Sequence, residues 1–384
     1  MKTCLFWLLP LSALFLSHPI YGVNIQGTNT PCDVGPDSMT KTYAPFTEGL
    51  PIPQFCLKNP IADGKPRCYY LFVPKCASGM VPLVVNMHST QSCPLWTSFH
   101  DLWIQTAVSH CFAVAFPVGV TDPEVADNPC MTFPGGRSVS GGMFTTNDCC
   151  CFKGDRALEP SETLDMIFIR NVVQDISSEK RVDELSRMLS GTAQLDGTRI
   201  YMTGHSNGCA AALAMGALYS NLVAAVACHS GGSFADFPSY YDPVPTFLVQ
   251  GMKDDVNWYQ FASDTARTVA TVHDCKTETA TLVHNGTGVE HAFQDCKSDA
   301  SVKLLLLNES GNLPFLNAFE SSVGASRTRI DTTKMAWEFC SNYSKSEIPK
   351  ALLYASSAVD RSSIMWSSGG LPLGVMILVS MMFF

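Results

Sequence analysis

The chain has 384 residues, 46% of them hydrophobic, and a formal net charge of −9 at pH 7. That length and apolar content suit a single domain with one large core. The acidic balance and the lack of any basic block exclude nucleic acid and anionic membrane surfaces from the expected partners.

In chain order, residues 1–22 carry one early lysine, Lys2, then an apolar stretch from Cys4 to Leu16, then small residues ending at Gly22. This reads as a secretory signal peptide, too short for a membrane span. Residues 23–67 are rich in Pro, Gly and Thr and lack periodicity, so an irregular N-terminal wrap held by Cys32 and Cys56 is expected. The folded domain is expected over 68–345. Cys68–Val73 and Val81–Met87 read as strands, the second apolar enough to be buried on both faces. Trp96–Val108 has helical spacing, and Phe112–Phe116 is another buried strand. Residues 118–160 form a long Gly-, Pro- and Cys-rich loop, of the kind that roofs a functional site.

Glu162–Ile176 reads as an amphipathic helix, followed by a strand at Arg199–Thr203 and a small-residue helix from Cys209 to Met215. Val223–Cys228 and Thr246–Gln250 are strands, and Phe261–Val272 is a helix. Thr279–Val283 is a short strand-like run, Val302–Leu307 a buried strand, and Thr332–Phe339 the last helix. Apolar strands alternating with helices predict a mostly parallel sheet covered on both faces. Residues 346–370 read as a stalk and attachment region, with the small trio Ser356-Ser357-Ala358 as the candidate attachment point. The apolar tail 371–384 is shorter than the ~20 residues a spanning helix needs. It therefore reads as a glycosylphosphatidylinositol anchor signal, with a single-pass helix as the alternative. Such an anchor implies a eukaryotic host and a protein on the outer face of the plasma membrane.

Cysteine usage fits that location. Sixteen cysteines less Cys4 in the leader leave fifteen, a disulfide-rich count for an oxidising compartment, with at least one thiol unpaired by parity. Cys149-Cys150-Cys151 lacks the partner spacing of a zinc site, so no metal and no organic cofactor is expected. Sequons at Asn285, Asn308 and Asn342 are three candidate glycan sites.

The segment richest in chemistry is Gly204-His205-Ser206-Asn207-Gly208, between the strand at 199–203 and the helix beginning at 209. Strand, G-x-S-x-G, helix is the nucleophile elbow of an α/β-hydrolase fold. The tight turn strains the serine backbone, and the glycines two positions either side leave room for it. Ser206 is the candidate nucleophile. Such a serine needs a base, a group to orient the base, and donors for an oxyanion. The acid should follow a later strand, which makes Asp254 the candidate and Asp255 the reserve. The Asn207 amide should supply one oxyanion donor, and Ser89 or Thr90, after the strand ending at Met87, the second; His88 would brace that loop. Of the downstream histidines His273, His284 and His291, the last follows a strand-like run and is the candidate base.

These segments resemble the secreted polyhydroxybutyrate depolymerase and feruloyl esterase group of α/β-hydrolases, from about Cys68 to Tyr343. The family's H-G-C-T-Q-S is similar to His88-Ser89-Thr90-Gln91-Ser92, which lacks the glycine. Its W-N-x-G-x-C-C and following Asp-containing helix resemble Asn147–Cys151 and Leu164-Asp165. Its G-x-S-N-G matches Gly204–Gly208, its G-x-x-D matches Gly251–Asp254, and its late cysteine pair resembles Cys275 and Cys296. The resemblance implies an extracellular carboxylic ester substrate, a polyester or a plant cell-wall aromatic ester. One departure matters. The family's base lies in G-G-H-T-W-P after the last strand, where this chain has Asn312. Asparagine is no base near neutral pH, so three expectations stand: a serine esterase using His291, a hydrolase-fold surface protein that binds without turnover, or a structural wall protein.

Overall fold

The computed structural model describes residues 50, 52–57, 67–89, 94, 97, 101–119, 164–178, 181, 193–232, 237, 241–316 and 329–347. The signal peptide, the anchor region, Thr90 and the 118–160 loop beyond Gly119 lie outside them. Ten strands form one sheet: β1 (Gln54–Cys56), β2 (Cys68–Phe72), β3 (Met80–Met87), β4 (Ala113–Pro117), β5 (Gln194–His205), β6 (Ala225–His229), β7 (Thr246–Gly251), β8 (Thr277–Val283), β9 (Gly288–Gln294) and β10 (Val302–Leu307). Their order is β1-β2-β4-β3-β5-β6-β7-β10-β9-β8. The pairings from β4 through β3, β5, β6 and β7 to β10 are parallel, and both margins are antiparallel.

Side chains alternate across this sheet and build two cores. On one face Leu83, Val85, Met87, Leu304 and Leu306 meet helices α2 (Leu164–Ile176), α3 (Asn207–Leu218) and α4 (Tyr259–Val272). On the other, Val84, Leu305 and Leu307 meet α1 (Trp103–His110) and α5 (Thr332–Cys340), where Phe112 stacks on Trp337 at 3.9 Å. Helices thus cover both faces of a mostly parallel sheet, which is the α/β-hydrolase architecture.

Three expected elements are corrected. The expected helix of 96–108 is interrupted: Thr97 and Asp101 are helical, but Leu102 takes a left-handed φ of 55°, and α1 begins after it at Trp103. The elbow strand is longer than 199–203, since Met80 and Val81 of β3 extend its pairing back to Gln194 through an irregularity. Gly288–Gln294, which the expected elements left unassigned after the run Thr279–Val283, is a strand. Asn285 (φ 57°) and Gly286 (φ 83°) turn the chain between β8 and β9, an Asn-Gly hairpin signal, and the two strands pair antiparallel.

Four disulfides staple the described residues: Cys56–Cys68, Cys76–Cys111, Cys209–Cys228 and Cys275–Cys296. Cys56 thus pairs with Cys68 across β1 and β2, not with Cys32. Cys275–Cys296 joins the open end of the β8–β9 hairpin, and Cys340 is the free thiol among the described residues, buried in α5. Burial pushes its pKa up, which keeps it protonated and unreactive. No helix among the described residues is long and apolar enough to cross a membrane.

Candidate active site

The site sits where the parallel strands end, and glycines set how closely its walls approach. Ser206 joins β5 to α3 with φ 53° and ψ −114°, the strained conformation of an elbow. Its backbone N–H donates to the His229 carbonyl at 2.9 Å, and its own carbonyl accepts from Cys209 and Ala210 in the first turn of α3. A Cβ on Gly208 would lie 2.1 Å from the Met87 carbonyl oxygen, and one on Gly204 2.4 Å from Gly208. These two glycines therefore let the elbow rest directly on the end of β3. Gly208→Ala is expected to lower stability by about 2–3 kcal/mol through overpacking against backbone that cannot yield; urea unfolding midpoints measure it.

That contact brings Asn207, at the start of α3, and Ser89, just beyond β3, to one corner of the site. His88 anchors the corner. The Gly119 N–H donates to its Nε2 at 3.0 Å, so Nδ1 carries the proton and donates to the Ser89 carbonyl at 2.9 Å. Burial pushes its pKa down to about 4, so it is neutral and structural.

Asp254 follows β7 and is the organising charge. Oδ1 accepts from the backbone N–H groups of Val256 (2.9 Å) and Asn257 (2.8 Å), an Asx-type turn. Oδ2 accepts from Gln250 Nε2 (2.8 Å) and Asn312 Nδ2 (3.0 Å). Asp255, the reserve candidate, lies in the exposed part of the same turn. Asn312 therefore stands against the acid, where an acid–base–serine relay needs imidazole. A Cβ on Gly251 would lie 2.2 Å from the Gly311 carbonyl oxygen, so a bare backbone at the end of β7 is what lets this loop close in.

Between Asp254 and Ser206 stands Asn257. Its Nδ2 donates to Ser206 Oγ (3.2 Å) and to the Ser230 carbonyl (2.8 Å), while Gln250 Nε2 donates to its carbonyl (2.9 Å). Asn257 and Gln250 were not among the sequence candidates. A glutamine ending an otherwise apolar strand and an asparagine three residues after the acid were the available signals.

His291 is not brought to this site. It lies on β9 opposite Leu304, four strands from β5, or about 19 Å at the usual strand spacing. Its Nδ1 contacts Glu278 of β8 at 3.1 Å instead. His273 caps α4, buried against Tyr241, whose hydroxyl lies 2.6 Å from Nε2, and His284 is in the exposed hairpin turn. Asn285 shares that turn, Asn308 donates its side-chain amide to Gly286 beside it (2.9 Å), and Asn342 is exposed after α5. Among the described residues no group of His, Cys, Asp and Glu could hold a metal ion.

Two more imidazoles lie behind the elbow. His205 Nε2 is 2.7 Å from the Asn312 carbonyl oxygen, and His205 and His229 both pack on Phe315. Burial lowers the pKa of both, that of His229 to about 3, helped by His205 beside it. Burial also lowers His273 to about 4. As pH falls from 6.5 toward 4 the unfolded chain takes up protons at His88, His229 and His273 ahead of the folded one, and His205 acts in the same direction, so their contribution to stability is full above 6.5 and drains below it. Asp101 opposes them. Burial raises its pKa to about 7, so its contribution falls as pH rises from 3.8 to 7. Four groups outweigh one, and the melting temperature is expected to climb from pH 4 to 6.5. A flat or falling profile would contradict the assignment.

No family model matches this chain, and no curated protein sequence matches it. Solved structures similar to it include an acetyl xylan esterase from Aspergillus awamori, at 12% identity over 68% of this chain and 94% of that one, with TM-score 0.47. A thermostable esterase is similar at 17% identity over 77% of this chain and 63% of that one, with TM-score 0.46. A ferulic acid esterase from the anaerobic fungus Anaeromyces mucronatus is similar at 12% identity over 58% and 79%, with TM-score 0.35. At these identities and scores, what the site does must be read from its own atoms.

Proposed function

We propose that this chain is a hydrolase-fold surface protein that binds a carboxylic ester, or the acid derived from it, at Ser206 without efficient turnover. The observation that carries this reading is the Asn312 amide on Asp254, 3.0 Å away, in the place of a base. A serine without a general base retains only the modest acceleration due to binding and oxyanion contacts. The strained elbow and the fully hydrogen-bonded Asp254 support a retained site for an acyl group. Asn207 and Ser89 are the proposed oxyanion donors. By the resemblance noted above, the ligand would be an extracellular polyester or cell-wall aromatic ester.

The second reading, a working serine esterase, is favoured by the strain kept at Ser206 and disfavoured by the placement of His291. Hydrolysis of p-nitrophenyl acetate and labelling by a fluorophosphonate separate the two. Wild type and Ser206→Ala are expected to hydrolyse the ester within about tenfold of each other. A wild-type rate about 10³ or more above Ser206→Ala, with serine labelling, would establish the esterase.

Four disulfides support an extracellular location. Secretion, glycans at Asn285, Asn308 and Asn342, and a lipid anchor on the outer plasma membrane are proposed with it. Release of the protein from intact cells by phosphatidylinositol-specific phospholipase C tests the anchor, and retention would exclude it.

A further inference from the structure

The side chains of Gln250 and Asn312 are explained by their support of the Asp254 carboxylate. The Asn257 side chain is not, because it bypasses the carboxylate and reaches the serine. Its amide orientation is settled by chemistry. The atom facing the Ser230 carbonyl at 2.8 Å must be the nitrogen, since two carbonyl oxygens would repel there. The same nitrogen faces Ser206 Oγ at 3.2 Å, so its second hydrogen points at the serine oxygen. Asn257 is 4% exposed, and its backbone is held at both ends, N–H on Asp254 and carbonyl under Gln250. It has little freedom to turn away.

The consequence falls on the serine proton. A hydroxyl has one proton to donate and lone pairs to accept with. Among the described residues, the Asn257 amide is the hydrogen-bond partner of Ser206 Oγ, and it occupies an accepting position. In a working triad the serine donates to its base. Here the polarity is reversed, and the proton is left for something that is not one of these side chains.

We propose that Asn257 is a positioning residue: by donating to Ser206 Oγ it turns the serine hydroxyl outward as a donor, making the site a receptor for the carbonyl oxygen of a carboxylic ester or acid. This deepens the proposed function and rests on it. Asn257 does not touch the ligand in this scheme; it acts through Ser206.

A double-mutant cycle on binding tests it, read by calorimetric titration of the purified protein with methyl cinnamate as the ester and cinnamate as the acid. Asn257→Ala and Ser206→Ala are each expected to weaken binding about fivefold, the worth of one net hydrogen bond. The double variant should bind no more weakly than either single one, because the two residues make one interaction. If the losses multiply to about 25-fold, Asn257 acts independently of the serine and the proposal fails, while the binding reading stands. If wild type binds neither compound, the binding reading itself falls and takes this proposal with it. Preference for the ester or for the acid identifies which form the site receives. Should Asn257→Ala lose its near-ultraviolet dichroism, Asn257→Asp keeps the side-chain volume while replacing donor by acceptor, and the same non-additivity with Ser206→Ala is expected.

Discussion

Asn312→His is expected to raise ester hydrolysis by about 10²–10⁴-fold, the contribution of a positioned general base. The asparagine already makes the contact that the imidazole would need, an N–H on Asp254 Oδ2 at 3.0 Å. Histidine Nδ1 can take over that hydrogen bond, which leaves Nε2 projecting beyond it on the longer side chain. Asp254 would then orient a base, its usual task in a triad, and would stabilise the imidazolium formed when Ser206 gives up its proton. Asn257 donates to a lone pair of Ser206 Oγ, which attack on an ester would use, so the double variant Asn257→Ala/Asn312→His is expected to be at least as active as the single one. Both gains should vanish on adding Ser206→Ala, and both should fall away as pH drops through the imidazole pKa. Natively folded variants that show no gain would mean that residue 312 cannot reach the serine.

The second large effect is expected far from the chemistry. Arg67, just before β2, sends Nη1 to Asp165 Oδ1 at 2.8 Å, with the two side chains 2% and 0% exposed. The guanidinium also lies over the Phe168 ring, 5.3 Å from its centroid. This pair joins the start of the strand region to α2, and so to the face that supports α3 and the elbow. Breaking a buried ion pair by removing one member typically costs about 3–5 kcal/mol. Arg67→Met is therefore expected to lower the unfolding free energy by that amount. Adding Asp165→Leu should recover a large part of it, because the buried carboxylate that has lost its guanidinium is the main penalty. Chemical denaturation of the two variants checks this. Equal stability of Arg67→Met and wild type would show that the pair is solvated.

The legible part of this fold was the part where burial dictates the residue. Runs such as Val81–Met87, Thr246–Gln250 and Val302–Leu307 can only be strands covered on both faces, and they are β3, β7 and β10. The elbow was legible for another reason, since only glycine tolerates the 2.1–2.4 Å approaches at Gly204 and Gly208. The edge hairpin was harder. The strand β8, exposed along most of its length, was legible only as the run Thr279–Val283; for β9 the informative residues were the turn pair Asn285-Gly286. With β9 unassigned, His291 read as a histidine just past a strand, the position a base takes, when it is in fact held within β9.

Within the site, Ser206, Asp254 and Asn312 could be found because each follows a strand in a known order. Asn257 and Gln250 could not be placed that way. Their roles depend on how the turn after β7 folds back over its own strand, a tertiary fact with no spacing rule behind it. An amide also gives no sign in sequence of whether it donates or accepts. That polarity emerged only from the Ser230 carbonyl beside it.

The loop bearing residue 312 is clamped to Gly251 through the backbone of Ser310 and Gly311, not through the side chain at 312. The fold therefore asks of the side chain at 312 only that it keep an N–H donor on Asp254, which asparagine and histidine can both supply. Asparagine and histidine codons differ by a single base, so one mutational step separates the binding site proposed above from a serine with a candidate base beside it.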